Sequence, residues 1–566
     1  MQTLDSQKQI QIRIGGEAGQ GLETVGQMLA KALVRSGYEI LSTQSAMSRI
    51  RGGHNYFSIL IGQEPILGPA ENVDLLVAFS PETVQLHQDY LSEQALVLLG
   101  QDMPGDESLS SLKIPYAELA QDTIVQNVAA LGVVSALLGL EQEIVSKVIT
   151  EAIGKKHGEM LSKNLQSLQK AMQWAQEQST SFLSLPNAQS SSTKLALNGN
   201  QGIALGALAA GINFCAFYPM TPATGVALNL QAQAEKFSLV CEQAEDEIAA
   251  INMAIGASFA GAKSLVPTSG GGFALMGEGL SLAGMTETPV VVVLAQRPGP
   301  ATGLPTRTEQ ADLELALHTG HGEFPRAVLA PGDPEDCFYL IQKAVEWAQR
   351  FQTVVILLSD QYLADAIRSV PILDLGGSPQ PETRQQETQD PGSYQRFAWS
   401  ETGVSPRLIP GTGKHLVVAD SDEHTPDGHI TEDHQVRQGM VDKRLAKLRG
   451  MRQECIPPAY EGPDNPELLL LAWGSSQKTA QQAARQLQSR GRKAASLCFS
   501  QVWPLQPKQF MDRLNQAGEV IAVESNATGQ LAKLIRRETG FEVQGKVLRY
   551  DGLPMTAQEI LRQLAF

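Results

Sequence analysis

Long apolar runs are missing from this chain. No stretch approaches the ~20 apolar residues a helix needs to cross a bilayer, and the start, MQTLDSQKQI, has no apolar signal core. Cysteine is scarce. The five cysteines, Cys215, Cys241, Cys337, Cys455 and Cys498, form no CxxC pair. That argues against a disulfide framework, and against a zinc or iron–sulfur site built by this chain alone. Sizeable Lys/Arg runs are also absent and the net charge is -16, so the electrostatic footprint of a nucleic-acid binder is lacking. The expectation is a soluble cytoplasmic protein with reduced thiols and an acidic, solvated surface. If its chemistry needs an iron–sulfur cluster, another chain must carry it.

What is present is globular material. Hydrophobic residues make up 42% and charged residues 18% of 566 residues, enough for several cores. At roughly 150 residues per domain, three or four domains are expected. In residues 1–177, QIQIRI, NYFSILI, DLLVAF and ALVLL read as strands alternating with helical stretches, an α/β pattern. Residues 178–193 are rich in Ser, Gln and Pro and read as a linker. Residues 194–370 are dense in Gly and Ala, with buried strands expected at FCAFY, KSLVPTS, PVVVVLA and TVVILLS. The pattern weakens over 371–462, which reads as an irregular arm that wraps a partner or its own domains. Residues 463–566 return to strand–helix alternation, with strands at ELLLLAWG, KAASLCF and EVIAVES.

Several motifs carry chemistry. GGEAGQG places Gly16, Gly19 and Gly21 between a strand and a helix. Glycines there let backbone N–H groups approach a phosphate, or simply make a tight turn. SAMSRIRGGHN sets Arg49, Arg51, Gly52, Gly53 and His54 before a strand, as an anion-binding loop or a solvated turn. YPMTPAT follows an apolar stretch and holds Tyr218, Pro219, Thr221 and Thr224. Its prolines expose the threonine hydroxyls, or a threonine caps the helix that follows. Glu247 stands where QAEDEIAAINMAIGASFAGAK turns small and apolar. It is either a solvated first-turn acid favoured by the helix dipole, or a buried carboxyl able to hold and donate a proton. Arg297 comes directly after PVVVVLA, at the carboxyl end of a strand where binding groups of parallel sheets collect. An arginine there can clamp a carboxylate bidentately or lie on the surface. Thr306 lies in the Gly/Pro-punctuated loop that follows.

Taken together the ordered motifs resemble the 2-oxoacid:ferredoxin oxidoreductases. YPMTPAT looks like that family's YPITPxx, QAEDEIAAINMAIGASFAGAK like its E-x-x-A…GA-x-x-AG helix, and QRPGPATGLPTRTEQADL like its R-x-G-P-[AS]-T-G-x-P-T loop. Ser421–Leu448 is similar to the segment joining the family's two alpha-chain domains, and the C-terminal W-P…V-x-E-x-N-x-x-G-Q-L pattern also fits. The GGxxGQG start and RGG loop resemble the gamma subunit, so the whole chain looks like a gamma–alpha fusion. The resemblance implies an α/β fold of three parts: a gamma-like domain, a thiamine-diphosphate-binding domain of the pyrimidine type, and a transketolase-C-like domain. It also implies CoA-dependent oxidative decarboxylation of a 2-oxoacid with electrons passed to ferredoxin. 2-Oxoglutarate is the expected substrate, and pyruvate, branched-chain 2-oxoacids and indolepyruvate are the alternatives.

By the same resemblance Glu247 is the catalytic acid. Thr221, Arg297, Thr306 and Thr224 bind substrate, and Tyr218 and Pro219 border the cofactor. The glycine loop itself, with Gly16, Gly19 and Gly21, is expected to meet the phosphates of CoA, contacts that the resemblance does not fix. Met220 stands where the family has Ile, and Ala223 where it has Ser, which removes a hydroxyl. No GDG…N motif for Mg²⁺ and diphosphate is found. A separate beta subunit is therefore expected to bring Mg²⁺ and a [4Fe–4S] cluster, in a dimer of alpha–beta units, with no metal held by this chain. Two other classes compete: a NAD-dependent dehydrogenase built on GGEAGQG, which lacks a ribose-binding acid, and a non-catalytic scaffold, which would not need Glu247.

Overall fold

Runs rich in Val, Ile and Leu become strands and the Ala- and Gln-rich stretches between them become helices, giving an α/β chain built on three sheets. The structure, a computed structural model, describes residues 9–47, 53–106, 108–120, 125–153, 158–178, 185, 193–374 and 394–565. Arg49, Arg51 and Gly52 of the RGG loop, most of the 178–193 linker and the first part of the arm lie outside them. The chain divides into two compact units. The first comprises residues 1–198, 365–373 and 556–558, and the second comprises 199–364, 374–555 and 559–566. Among the described residues no helix is long and apolar enough to cross a membrane.

The first unit is organised around strand Ile10–Glu17, which pairs parallel with Val73–Ala78 and antiparallel with His54–Gly62. Helix Leu22–Arg35 covers the sheet with Leu22, Val25, Met28, Leu29 and Leu33. At one edge Lys194–Leu197 pairs antiparallel with Arg368–Pro371. Both ends of the region read as 194–370 therefore finish in this sheet. Ser42 fixes the attachment: its N–H donates to Ile367 O and its Oγ accepts from Ile367 N, each at 2.8 Å.

The second unit contains a seven-stranded sheet in the order Gln501–Trp503, Arg326–Leu329, Val354–Asp360, Val290–Gln296, Ser264–Thr268, Phe214–Phe217 and Val240–Gln243. Every neighbouring pair is parallel except the first. Helices on both faces account for the unbroken burial of Val290–Gln296. A five-stranded sheet follows, from Ala459–Glu461 to Gly545–Leu548. The two sheets share one core: Val292 and Leu294 belong to the same cluster as Leu471, Trp473 and Phe499.

The arm corrects an expectation. Residues 371–462 were expected to be irregular throughout, yet His434–Gln453 is a 20-residue helix. Its buried residues are Met440, Lys443, Arg444, Lys447 and Met451, a helical-period stripe that is mostly charged. Glu287, itself buried, receives Lys443 Nζ at 2.7 Å and Lys447 Nζ at 2.5 Å. Arg396 donates to the carbonyl of Glu287 at 2.7 Å. Arg444 grips Glu423 bidentately at 3.0 and 2.8 Å. Ion pairing replaces apolar contact along this helix.

Candidate active site

Helix Glu247–Phe259 begins because Asp246 caps it, accepting from Ala249 N at 2.7 Å. The chain extends into the cap from edge strand Val240–Gln243, so Glu247 occupies the first helical position. It is only 3% exposed, which rules out the reading of a solvated first-turn acid. Glu245 is exposed, and Asp246 is spent on the cap.

The Glu247 carboxyl faces the turn that ends strand Ser264–Thr268. A Cβ on Gly272 would lie 2.6 Å from Glu247 Oε1 and 2.7 Å from its Cγ. Only glycine leaves room for the acid there. Glu247 Oε1 is buried and has no hydrogen-bond partner. Two further buried polar atoms without a partner lie around this turn. Ser269 Oγ is one, and Asp312 Oδ2 is the other, 2.5 Å from where a Cβ on Gly270 would stand. Buried polar atoms are normally satisfied, so three orphans around one glycine turn mark a place prepared for a group from outside. Burial pushes the Asp312 carboxyl up to about 6, with the nearby Arg297 charge opposing that rise.

Arg297 follows strand Val290–Gln296, as its position after PVVVVLA predicts. Its Nη1 donates to the carbonyl of Thr221 at 2.8 Å, which joins the YPMTPAT turn to the arginine loop. A guanidinium has five donors, so anchoring one leaves a fork for an acceptor. Burial lowers the Arg297 pKa from its ordinary value while Asp312 opposes this. The loop closes on itself, with Leu304 N donating to Pro298 O at 3.1 Å. Its Ala301 carbonyl comes to 4.0 Å from a Cβ built on Gly271. Glu247, the glycine turn, the arginine loop and Thr221 thus form one contiguous set.

The remaining expected residues fall as follows. Thr221, Tyr218 and Pro219 are exposed, and Thr306 is half-buried on the arginine loop. Thr224 opens helix Thr224–Gln231, but the cap position is Ala223 and no side chain caps the helix. The threonine-cap reading of YPMTPAT is therefore wrong, and both threonine side chains are available for other work. Gly16, Gly19 and Gly21 lie in the other unit. Gly19 and Gly21 adopt φ of 95° and 71°, and a Cβ on Gly19 would meet nothing. Gly21 is the cap of helix Leu22–Arg35. Gly16 is buried in strand Ile10–Glu17, where a Cβ would crowd Gln20 and Phe79. Sequence reasoning missed Asp312 and Ser269. The adjacency of Asp312 to the TEQ of the arginine loop was the available signal. Among the described residues no group of three or more His, Cys, Asp or Glu side chains is placed to hold a metal ion.

Comparison with known proteins gives the following. Residues 205–443 match the family described as pyruvate flavodoxin/ferredoxin oxidoreductase, thiamine diphosphate-binding, and residues 11–174 match pyruvate ferredoxin/flavodoxin oxidoreductase. The 2-oxoacid:ferredoxin oxidoreductase subunit alpha of Saccharolobus solfataricus is 31% identical over 97% of this chain and 96% of its own. The 2-oxoglutarate oxidoreductase subunit KorA of Mycobacterium tuberculosis is 30% identical over 97% of this chain and 90% of its own. A solved structure of 2-oxoglutarate:ferredoxin oxidoreductase from Magnetococcus marinus, with 2-oxoglutarate, coenzyme A and succinyl-CoA bound, is 30% identical. It covers 99% of each chain with a TM-score of 0.89.

Proposed function

Because the chain belongs to the 2-oxoacid:ferredoxin oxidoreductase family, as its alpha subunit, we propose that it supplies the proton-handling and carboxylate-binding groups for oxidative decarboxylation of 2-oxoglutarate to succinyl-CoA. Ferredoxin takes the electrons. The observation that carries this reading is Glu247, a buried carboxyl only 3% exposed, whose Oε1 has no hydrogen-bond partner among the described residues. A buried acid with an open valence against a glycine turn fits the aminopyrimidine edge of thiamine diphosphate. When bound, that cofactor supplies a nucleophilic carbon and an electron sink for the departing carboxylate.

Within this reading Glu247 holds and returns a proton at N1′ of the aminopyrimidine. Burial keeps water from competing for that hydrogen bond. Arg297, fixed by Thr221 O, binds the carboxylate of the 2-oxoacid, and Thr221, Thr224 and Thr306 line the rest of the pocket. Tyr218 and Pro219 border the cofactor. Backbone groups at Gly16, Gly19 and Gly21 meet the phosphates of CoA; residues 1–177 form a gamma-like domain, 194–370 the pyrimidine-type domain and 463–566 the transketolase-C-like domain. The names of relatives such as KorA support 2-oxoglutarate as substrate. The pyruvate wording of both family matches favours pyruvate as the second reading.

A beta subunit completes the enzyme in this proposal, bringing Mg²⁺, the cofactor's diphosphate site and a [4Fe–4S] cluster, in a cytoplasmic dimer of alpha–beta units. Support comes from the surface beside the site. Tyr218, Leu228, Ile248 and Leu275 are exposed on the elements around it. Apolar side chains exposed together form a surface that proteins normally cover. The test is reconstitution with the beta subunit and a panel of 2-oxoacids, following ferredoxin reduction and acyl-CoA formation. The highest kcat/KM is expected for 2-oxoglutarate, and a preference for pyruvate overturns the substrate assignment.

A further inference from the structure

Two of the five cysteines come together in a way their separation in sequence conceals. Strands Phe214–Phe217 and Val240–Gln243 pair in parallel, with Cys215 directly opposite Cys241 in register. In-register neighbours on parallel strands point to the same face of the sheet, and both sulfurs enter the same hydrophobic cluster. Cys215 is fully buried, and Cys241 is half-buried on the sheet's last strand. Cys337, Cys455 and Cys498 are buried and free.

We propose that Cys215 and Cys241 form a redox-modification site that a hydroperoxide converts to a disulfide, lowering the enzyme's turnover reversibly. The half-exposed Cys241 is the thiol that meets the oxidant. The neighbouring Cys215 thiol favours the Cys241 thiolate and holds its pKa below the ordinary thiol value, while pairing with Cys241, and after it burial, raises that of Cys215. The Cys241 thiolate attacks one peroxide oxygen, the O–O bond breaks, and sulfenic acid and hydroxide result. Cys215 then loses its proton and attacks the Cys241 sulfur, expelling the sulfenic oxygen as water. Two thiols and one hydrogen peroxide give one disulfide and two waters, so the thiols lose two electrons and the peroxide gains them. Cys337, Cys455 and Cys498 are all buried, whereas Cys241 is part-exposed and can meet an oxidant.

The consequence for activity follows from where the two strands lead. Phe214–Phe217 runs directly into Tyr218 and the YPMTPAT turn, and Val240–Gln243 runs through Ala244 into the cap of Glu247. Disulfides most often span a Cα–Cα distance of about 5.5–6 Å, wider than the roughly 4.8 Å between neighbouring strands, so closing one here shifts the two strand ends. A displacement of about 1 Å at reacting groups can cost ~10²-fold in rate. A disulfide here therefore reports oxidant stress straight to the site.

The experiment has two arms. The full chain alone is treated with hydrogen peroxide, alkylated and digested, and peptides are identified by mass. A Cys215–Cys241 cross-linked peptide is expected, cleaved by dithiothreitol and absent from both Cys215→Ser and Cys241→Ser. If Cys241 is oxidised only to sulfinic acid, or no cross-link forms, the proposal fails. This arm does not depend on the proposed function. In the second arm the complex with its beta subunit is assayed before and after peroxide, and again after thiol. Wild type should lose roughly tenfold or more of its turnover and recover it, while Cys241→Ser and Cys241→Ala resist. Equal loss in wild type and both variants overturns the coupling to activity, since the damage then lies elsewhere in the complex.

Discussion

Replacing Glu287 with glutamine tests whether the arm helix is held by buried charge. Glu287 and both lysine partners are each 1% exposed in their side chains. Burial alone would raise the Glu287 carboxyl, but Lys447 and Lys443, with Arg396 behind them, outweigh it and hold the group down to about 2 from 4.5. That displacement corresponds to about 3 kcal/mol of stability. Removing one partner of a buried pair typically costs ~3–5 kcal/mol, because the remaining charges stay buried without an anion. Burial already pushes Lys447 down to about 8. Without Glu287 it can shed its proton near neutrality, which sets the loss toward the lower figure. Glu287→Gln should therefore destabilise the second unit by about 3 kcal/mol at pH 7, read by denaturant unfolding and by hydrogen exchange in His434–Gln453. The pKa of Glu287 is lower in the folded state. Its contribution is therefore complete above pH 4.5 and lost as pH falls through about 2, and the gap between variant and wild type should close over that window. Adding Lys447→Met should cost less than the sum of the two single changes. A Glu287→Gln chain within about 0.5 kcal/mol of wild type at pH 7, or strict additivity with Lys447→Met, would refute the reasoning.

Two further outcomes follow from the site. Arg297→Lys keeps the charge and loses the planar fork. One charge-assisted hydrogen bond is worth ~1.5–3 kcal/mol, so kcat/KM for the 2-oxoacid should fall roughly 10–100-fold, chiefly through KM. A change under about twofold would remove the arginine from carboxylate binding. Asp312 has a folded pKa raised from 3.8 to about 6. The folded state therefore binds more protons in that range, and the burial penalty is fully developed above it. Asp312→Asn should raise the melting temperature of the unliganded chain at pH 7.5 and have little effect below pH 3.8. An equal shift at both pH values would show that the carboxylate charge is not the cause.

Most of the strands were legible because parallel strands buried on both faces read as unbroken apolar runs, as at Val290–Gln296 and Leu468–Trp473. The site was legible to the extent that its residues sit at element boundaries. Arg297 ends a strand, Glu247 starts a helix, and both lie where the hydrophobic pattern changes. The arm helix escaped notice because its inward stripe is Lys443, Arg444 and Lys447. Apolar periodicity cannot report a helix that buries ion pairs. Ser269 escaped because it belongs to no motif, and Asp312 because it closes the arginine-loop motif with no role of its own; both become visible as unpartnered atoms around one turn. The opposition of Cys215 and Cys241 required strand order and register, which single-sequence patterns do not contain. The common core of the two sheets in the second unit also lay beyond sequence reasoning, because periodicity marks a buried face without naming what covers it.

The most direct test of the central claim is proton–deuterium exchange at C2 of thiamine diphosphate in the complex carrying Glu247→Gln. The substitution keeps the shape of a 3% exposed side chain and removes only its ionisable proton. General acid–base groups contribute ~10²–10⁴-fold, and exchange and turnover should fall within that range with cofactor binding largely retained. Exchange equal to that of wild type would mean that Glu247 is not the activating acid.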